Sequence, residues 1–168
     1  AGCFNATRTQ DLHDRYCWHP TPLFEEELAI FGPMSAPDAM TRERMAGKRL
    51  GVTLGYTYPS EWMQDRRIIR VSAASDDNLL KMLVAGRVDY ILLNTMPGWE
   101  RISRMPAVQG RVKKVSVIRQ DGFWVAFSKS HPEGVRLCAQ FEQGLQALHA
   151  SGRYQQMMAQ FRARWQPQ

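Results

Sequence analysis

Cysteine is scarce in this chain: Cys3, Cys17 and Cys138 are the three among 168 residues. An odd number cannot pair off within one monomer, and no CxxC or Cys/His spacing of a zinc site occurs. The four histidines, His13, His19, His131 and His149, are scattered. The sequence therefore implies no metal site and no cofactor. No apolar run approaches the roughly 20 residues that cross a bilayer, which excludes a membrane-spanning helix. Initiator Met and signal peptide are both absent, so the expectation is a processed product, its signal peptide removed, or an excised segment. Internal repeats and low-complexity tracts are also missing, as are zinc-finger spacings and RNA-recognition aromatic motifs. No Ser/His/Asp, Cys/His or paired-carboxylate arrangement is visible, so no catalytic residue is assigned and no enzyme is expected.

What the chain does have is 44% hydrophobic residues over a length able to bury a core, and a surplus of base. Its formal charge of +6 raises the question of a polyanion partner. The basic residues, however, fall in short clusters, Arg66, Arg67 and Arg70, then Arg101, Arg104, Arg111, Lys113 and Lys114. These flank strands rather than follow one DNA-reading element, so they read as solvated surface and nucleic acid is not an expected partner.

The pattern of elements is alternating α and β. Residues 1–22 lack a sustained period and read as a loop. Leu23 to Phe31 carries apolar ends around Glu25, Glu26 and Glu27 and reads as an exposed connecting strand. Gly32, Pro33 and Pro37 break structure. A short helix capped by Thr41 follows, then a strand from Arg49 to Leu54, a helix opened by Pro59, and a strand from Ile68 to Val71. Ser75 to Leu93, SDDNLLKMLVAGRVDYILL, is the most informative stretch. Leu79, Leu80 and Leu83 line one helix face, Gly86 stands where a C-cap needs positive φ, and a buried strand follows at once. Such a unit delivers Asn94 to the carboxyl edge of a sheet, where open α/β folds bind ligands. A helix spans Pro97 to Ser103, and two separate strands cover Val112 to Ile118 and Phe123 to Phe127. Two helices close the chain, with Val135, Cys138, Phe141, Leu145 and Leu148 on the first and Tyr154, Met157, Met158, Phe161 and Trp165 on the second. Both stripes are expected to pack as core.

The Ser75–Leu93 unit resembles the second-lobe signature of the bacterial extracellular solute-binding proteins of the polar amino acid type, which feed ABC transporters. Lys48 to Thr57 (KRLGVTLGYT) resembles that family's opening strand of lobe two with its ligand loop, and Thr7 to Pro22 its first-lobe loop. Gly122 to Lys129 resembles the strand that returns to lobe one, and His131 to Trp165 the closing helix pair. The resemblance implies an α/β fold of the periplasmic-binding-protein type (type II). It implies residues 1–47 as the end of lobe one with a hinge segment, 48–116 as lobe two, and 117–168 as the return strand and closing helices. The block that builds most of the lobe-one sheet in that family has no counterpart here, so self-association through uncovered lobe-one surfaces is expected. Cys3 and Cys17 flank the first-lobe loop, where a disulfide is open to them in an oxidising compartment.

The resemblance also implies a site for a small polar solute between the lobes. Its first-lobe positions are Asn5, Thr7 and Thr9. The Arg that grips an α-carboxylate in the family is replaced by Leu12, with Arg8 and Arg15 left open as nearby substitutes off the matching offset. In lobe two Gly55, Tyr56, Thr57 and Tyr58 occupy the anion-cradling turn, and Asn94 replaces the Asp that binds an ammonium. Losing both charged anchors costs on the order of a hundredfold in affinity for an amino acid, which favours a neutral or singly charged solute, or no solute at all. Asp89 reads as a turn residue. The implied function is a periplasmic solute-binding component, or a remnant of one, with an ABC permease as partner. The alternative is a sensor or partner-binding module, and the few enzymes of this fold are a third class.

Overall fold

The computed structural model describes residues 2–6 and 12–164. Its strands are β1 (Gly2–Ala6), β2 (Tyr16–Trp18), β3 (Phe24–Pro33), β4 (Arg49–Thr53), β5 (Ile69–Ala73), β6 (Tyr90–Asn94) and β7 (Val112–Ser128). Its helices are α1 (Ser60–Met63), α2 (Asp76–Val84), α3 (Thr95–Ser103), α4 (Gly134–Ala150) and α5 (Arg153–Ala163), with a 3-10 turn at Glu43–Met45. The chain folds as two compact units, one running from Glu27 to Arg119 and the other made of the residues up to Glu26 with those from Gln120 onward.

The unit from Glu27 to Arg119 is built on strands in the order β7-β3-β6-β4-β5. β4 lies parallel to both β5 and β6, and β3 runs antiparallel to β6. Parallel neighbours need crossovers, which α1 and α2 supply. Alternate residues face opposite sides. Leu28, Ile30, Leu50, Val52, Tyr90 and Leu92 pack with Met45, Trp62 and Ile68 on one face. Ala29, Phe31, Ile91 and Leu93 pack with the α2 leucines Leu79, Leu80 and Leu83 and with Ile102 of α3 on the other. Covered on both faces, β3 is not the exposed connection its glutamates suggest: Leu28 to Phe31 are buried and lie beside β6.

Local signals in this unit act as their chemistry dictates. Ser75 Oγ accepts from the Asn78 amide at 3.3 Å and caps α2. Gly86 ends it at φ +67. Asp89 then turns back on β4. Its Oδ2 accepts from the Arg49 amide at 2.7 Å, and the Arg49 guanidinium donates to both carboxylate oxygens, Nη2 to Oδ1 at 2.8 Å. The same guanidinium reaches the carbonyls of Gly86 and Arg87 at 2.9 Å each.

In the other unit β1 and β2 both pair antiparallel with the same stretch of β7, so they occupy its two opposite edges. Residues 1–22 are therefore not simply loop. Cys3 lies opposite Ala126 on one side of β7 and Cys17 opposite Phe127 on the other. Two interstrand spacings put their Cα atoms roughly 9.5 Å apart, beyond the roughly 7 Å a disulfide spans, and Cys17 carries a free thiol. The break expected between Ile118 and Phe123 is also absent: β7 runs unbroken, held there by the Leu23 amide on the Phe123 carbonyl at 2.7 Å and by Gln120 on Glu25 at 2.7 Å. Buried His19 accepts the Val125 amide on Nε2 at 3.1 Å, so its proton sits on Nδ1, 3.5 Å from Glu142 of α4. Glu142 also accepts from the amide and hydroxyl of Thr21.

The closing helices differ most from expectation. Cys138 and Leu145 of α4 are buried, but Val135 is 60% exposed, and on α5 Met157 and Phe161 are 56% and 42% exposed. No residue of α5 is buried. Periodicity marks an apolar stripe, and here its Tyr154 and Met158 are half-buried, Tyr154 against His149, while the rest is more exposed. Trp165 lies outside the described residues.

Two substitutions test the sheet of the first-described unit. A Cβ at Gly51 would meet Leu79 Cδ2 at 2.8 Å and Ile91 Cγ2 at 2.9 Å, both on fully buried side chains. Gly51→Ala is therefore expected to cost about 1–3 kcal/mol in denaturant unfolding. The Arg49 hydrogen bonds hold the Asp89 pKa below its ordinary value. Its stabilising contribution is then complete above the unfolded-state pKa of about 3.9 and is lost as pH falls through the lower folded value. Asp89→Asn should cost about 1–2 kcal/mol near neutral pH and flatten the acid limb of the stability profile.

Candidate functional site

The site is set by strand ends. Thr53 pairs with Ala73 across β4 and β5, and Gly51 pairs with Ile91 across β4 and β6. Leu54, Ala74 and Asn94 therefore leave the sheet side by side at one carboxyl edge, about 4.8 Å from strand to strand. The chain beyond β4 turns at Gly55, whose φ of +80 suits a residue without Cβ. The Leu54 amide donates to the Ala73 carbonyl at 2.9 Å and the Tyr56 amide to the Thr53 carbonyl at 3.4 Å. Among the described residues the amides of Gly55, Thr57 and Tyr58 have no backbone acceptor. α1, expected to run from Pro59 to Gln64, is a single turn of four residues, so it lends little dipole and the turn's own amides are what can hold an anion.

Two rings flank this turn. The Tyr58 hydroxyl accepts the Thr53 amide at 2.9 Å, and its ring packs half-buried on the core. Tyr56 is 55% exposed, with its ring centroid 6.4 Å from that of Tyr58 at a tilt of 32°. Thr57 is exposed. Asn94 stands half-buried at the start of α3, where its side chain caps no helix amide. Next to it Thr95 Oγ1 donates to Glu27 at 3.0 Å, and Glu27 also takes the Lys114 amine at 2.8 Å.

A charged cluster stands beside the turn. Asp76, the first residue of α2, is buried and accepts the Thr53 hydroxyl at 2.5 Å. Arg101 of α3 lies with Nε 3.3 Å from Asp76 Oδ2 and donates Nη1 to Asp77 Oδ1 at 2.6 Å. Burial works against the charge of Arg101, but the Asp77 hydrogen bond and both carboxylates outweigh it and raise its pKa. Burial raises the Tyr56 pKa, the negative charge of Asp76 adds to this, and Arg101 opposes it. Burial also raises the Tyr58 pKa, with the bond from Thr53 opposing.

The structure thus brings Gly55, Tyr56, Thr57, Tyr58 and Asn94 to one edge of one unit. Asn5 falls in β1 of the other unit, where only its backbone is described; Thr7 and Thr9 lie outside the described residues. Leu12 is half-buried in a short turn. Asp89 is at the opposite end of β6. Asp76, Asp77 and Arg101 were not singled out by sequence. Arg101 reads there as one of a solvated basic cluster; the signal that finds it is its spacing of two helical turns from Asn94. An open hollow of about 420 Å³, lined by Ala73, Ala74, Asn78, Lys81, Met82, Ala85 and Arg87, lies along α2 and does not include the turn. Amides, hydroxyls and rings of this kind suit hydrogen bonding and stacking. Replacing Asp76 by Asn should bring the Tyr56 pKa down toward about 10, read as an ultraviolet difference titration against Tyr56→Phe; an unchanged Tyr56 titration would disconnect the two groups.

No protein-family model matches the chain, and no curated protein does. Solved structures match in fold. A variant of ArgBP from T. maritima superposes with a TM-score of 0.73 at 18% identity, over 95% of this chain and 67% of its own. A histidine kinase sensor domain with similarity to periplasmic binding proteins gives 0.71 at 22%, over 98% and 67%. The amino acid ABC transporter substrate-binding protein AbpA from Streptococcus pneumoniae, bound to L-arginine, gives 0.72 at 16%, over 97% and 68%. The chain thus spans about two thirds of these proteins and has the α/β fold of periplasmic binding proteins. No described helix is long and apolar enough to cross a membrane.

Proposed function

We propose that this chain is a solute-binding module of the amino-acid ABC importer type, with residues 48–116 as lobe two and its ligand at the edge formed by Gly55, Tyr56, Thr57, Tyr58 and Asn94. The observation that carries this is the joint emergence of the β4 turn and the end of β6 on one level, in a fold shared with proteins that are amino-acid binders. Those neighbours are binding proteins, and the assembled side chains suit binding rather than catalysis. The finer parts of the proposal are a periplasmic location, an ABC permease as partner, and Asn5, Thr7 and Thr9 as further ligand contacts.

A thermal-shift screen with amino acids, amines, sugars and carboxylates tests this. A ligand held only by the folded chain, at roughly 100 times its Kd, should raise Tm by about 5–10 °C; no shift with any class would remove the proposal. The exposed stripe of α5 supports self-association. The pair Met157→Glu and Phe161→Glu is expected to weaken dimerisation at least about tenfold in sedimentation equilibrium, and a monomeric parent chain would contradict it.

A second reading, a sensor module, is favoured by the 22% identity and 98% coverage against the kinase sensor domain. Sizing the native polypeptide by mass spectrometry separates the two: a chain that continues into a membrane-spanning helix and a kinase supports the sensor.

A further inference from the structure

We infer that the solute read at this edge is an organic monocation without a carboxylate, its charged group lying against the ring of Tyr56. This rests on the binding reading above and narrows it to a chemical class.

An α-carboxylate would rest on the amides of the turn alone. Arg101, the cation beside them, is already committed to two carboxylates, Asp77 at 2.6 Å and Asp76 at 3.3 Å. Asp76, Asp77 and Arg101 together leave one net negative charge beside the turn. On the other side of Asn94, Glu27 and Lys114 pair at 2.8 Å and add nothing net. The balance repels a second anion and attracts a cation, the more so because Asp76 is buried and poorly screened.

The aromatic groups supply the seat. The Thr53 amide fixes the Tyr58 hydroxyl at 2.9 Å, and this holds one ring of the pair. Tyr56, tilted 32° to it, keeps more than half its surface open. A cation over an aromatic face is stabilised by the ring quadrupole, to about tenfold in affinity at a partly open site. Asn94 adds a neutral carbonyl that accepts an N–H or O–H from the ligand without demanding an ammonium.

The test is calorimetry on the intact chain with matched probes: choline, its neutral carbon isostere 3,3-dimethylbutanol, and glycine betaine, which adds a carboxylate; methylguanidinium and n-butylammonium extend the cations. At least one monocation should bind, choline about tenfold or more tighter than either analogue if it is that one. Tyr56→Leu should lose about tenfold for that cation and Tyr56→Phe should keep it, with both variants checked for an unchanged melting transition. Equal binding of the neutral isostere, tighter binding of betaine, or indifference to Tyr56→Leu would each overturn the inference. If amino acids or sugars stabilise the chain in the broad screen while every monocation fails, the class is wrong and the binding reading survives. Silence from all probes removes both.

Discussion

Arg49 and Asp89 join β4 to the start of β6 through one backbone and two side-chain donors, and from that end they fix the register of both strands. A parallel pair slipped by one residue would move every side chain to the other face; Leu50 and Val52 would trade faces with Gly51, which has room for no Cβ between Leu79 and Ile91. With the register held at the amino ends, the carboxyl ends can only emerge level. The level carboxyl edge is thus a consequence of a clamp that never touches it.

At that edge Asp76 plays the corresponding part for the side chains. It is a buried carboxylate at the first position of a nine-residue helix, where the macrodipole and free amides favour negative charge. Thr53 from β4 donates to it, and Arg101 from α3 lies in ion-pair range. A buried charge without such partners would be costly. Removing Thr53 or Arg101 would therefore disturb the turn through Asp76 and move Tyr56 with it.

The features legible in sequence are those whose cause is local. The positive φ at Gly86, the leucine face of α2 and the strand into Asn94 all follow from residue type and spacing, and all are present. β1 and β2 were not legible, because GCFNA and YCW carry no period of their own; they are strands because β7 offers two free edges. Gln120 to Gly122 looked like a turn and is strand, because β3 continues alongside and supplies partners such as Glu25. α5 shows the converse. Its stripe is strongly periodic, yet Met157 and Phe161 stay 56% and 42% exposed, since a pattern states what a helix can bury and not how deeply the fold buries it. At the site, the turn and Asn94 could be placed from strand order, whereas the Asp76–Arg101 pair joins residues 25 apart in sequence that only the packing of α2 beside α3 brings together.

Core packing and the chemistry of the strand ends are carried by different atoms here, so identities of 16–22% can accompany TM-scores above 0.7. Apolar alternation in β3, β4 and β6 is satisfied by many residue combinations of similar volume, so the backbone persists while sequence drifts. The strand ends have no such freedom. A carboxylate at position 94 would place a charge at this edge, and the amide of Asn94 places none. The charges that do stand at the edge come from α2 and α3, which the core requires for packing anyway. The residues at these strand ends can then change without a change of fold, on a scaffold whose register is secured at its far end.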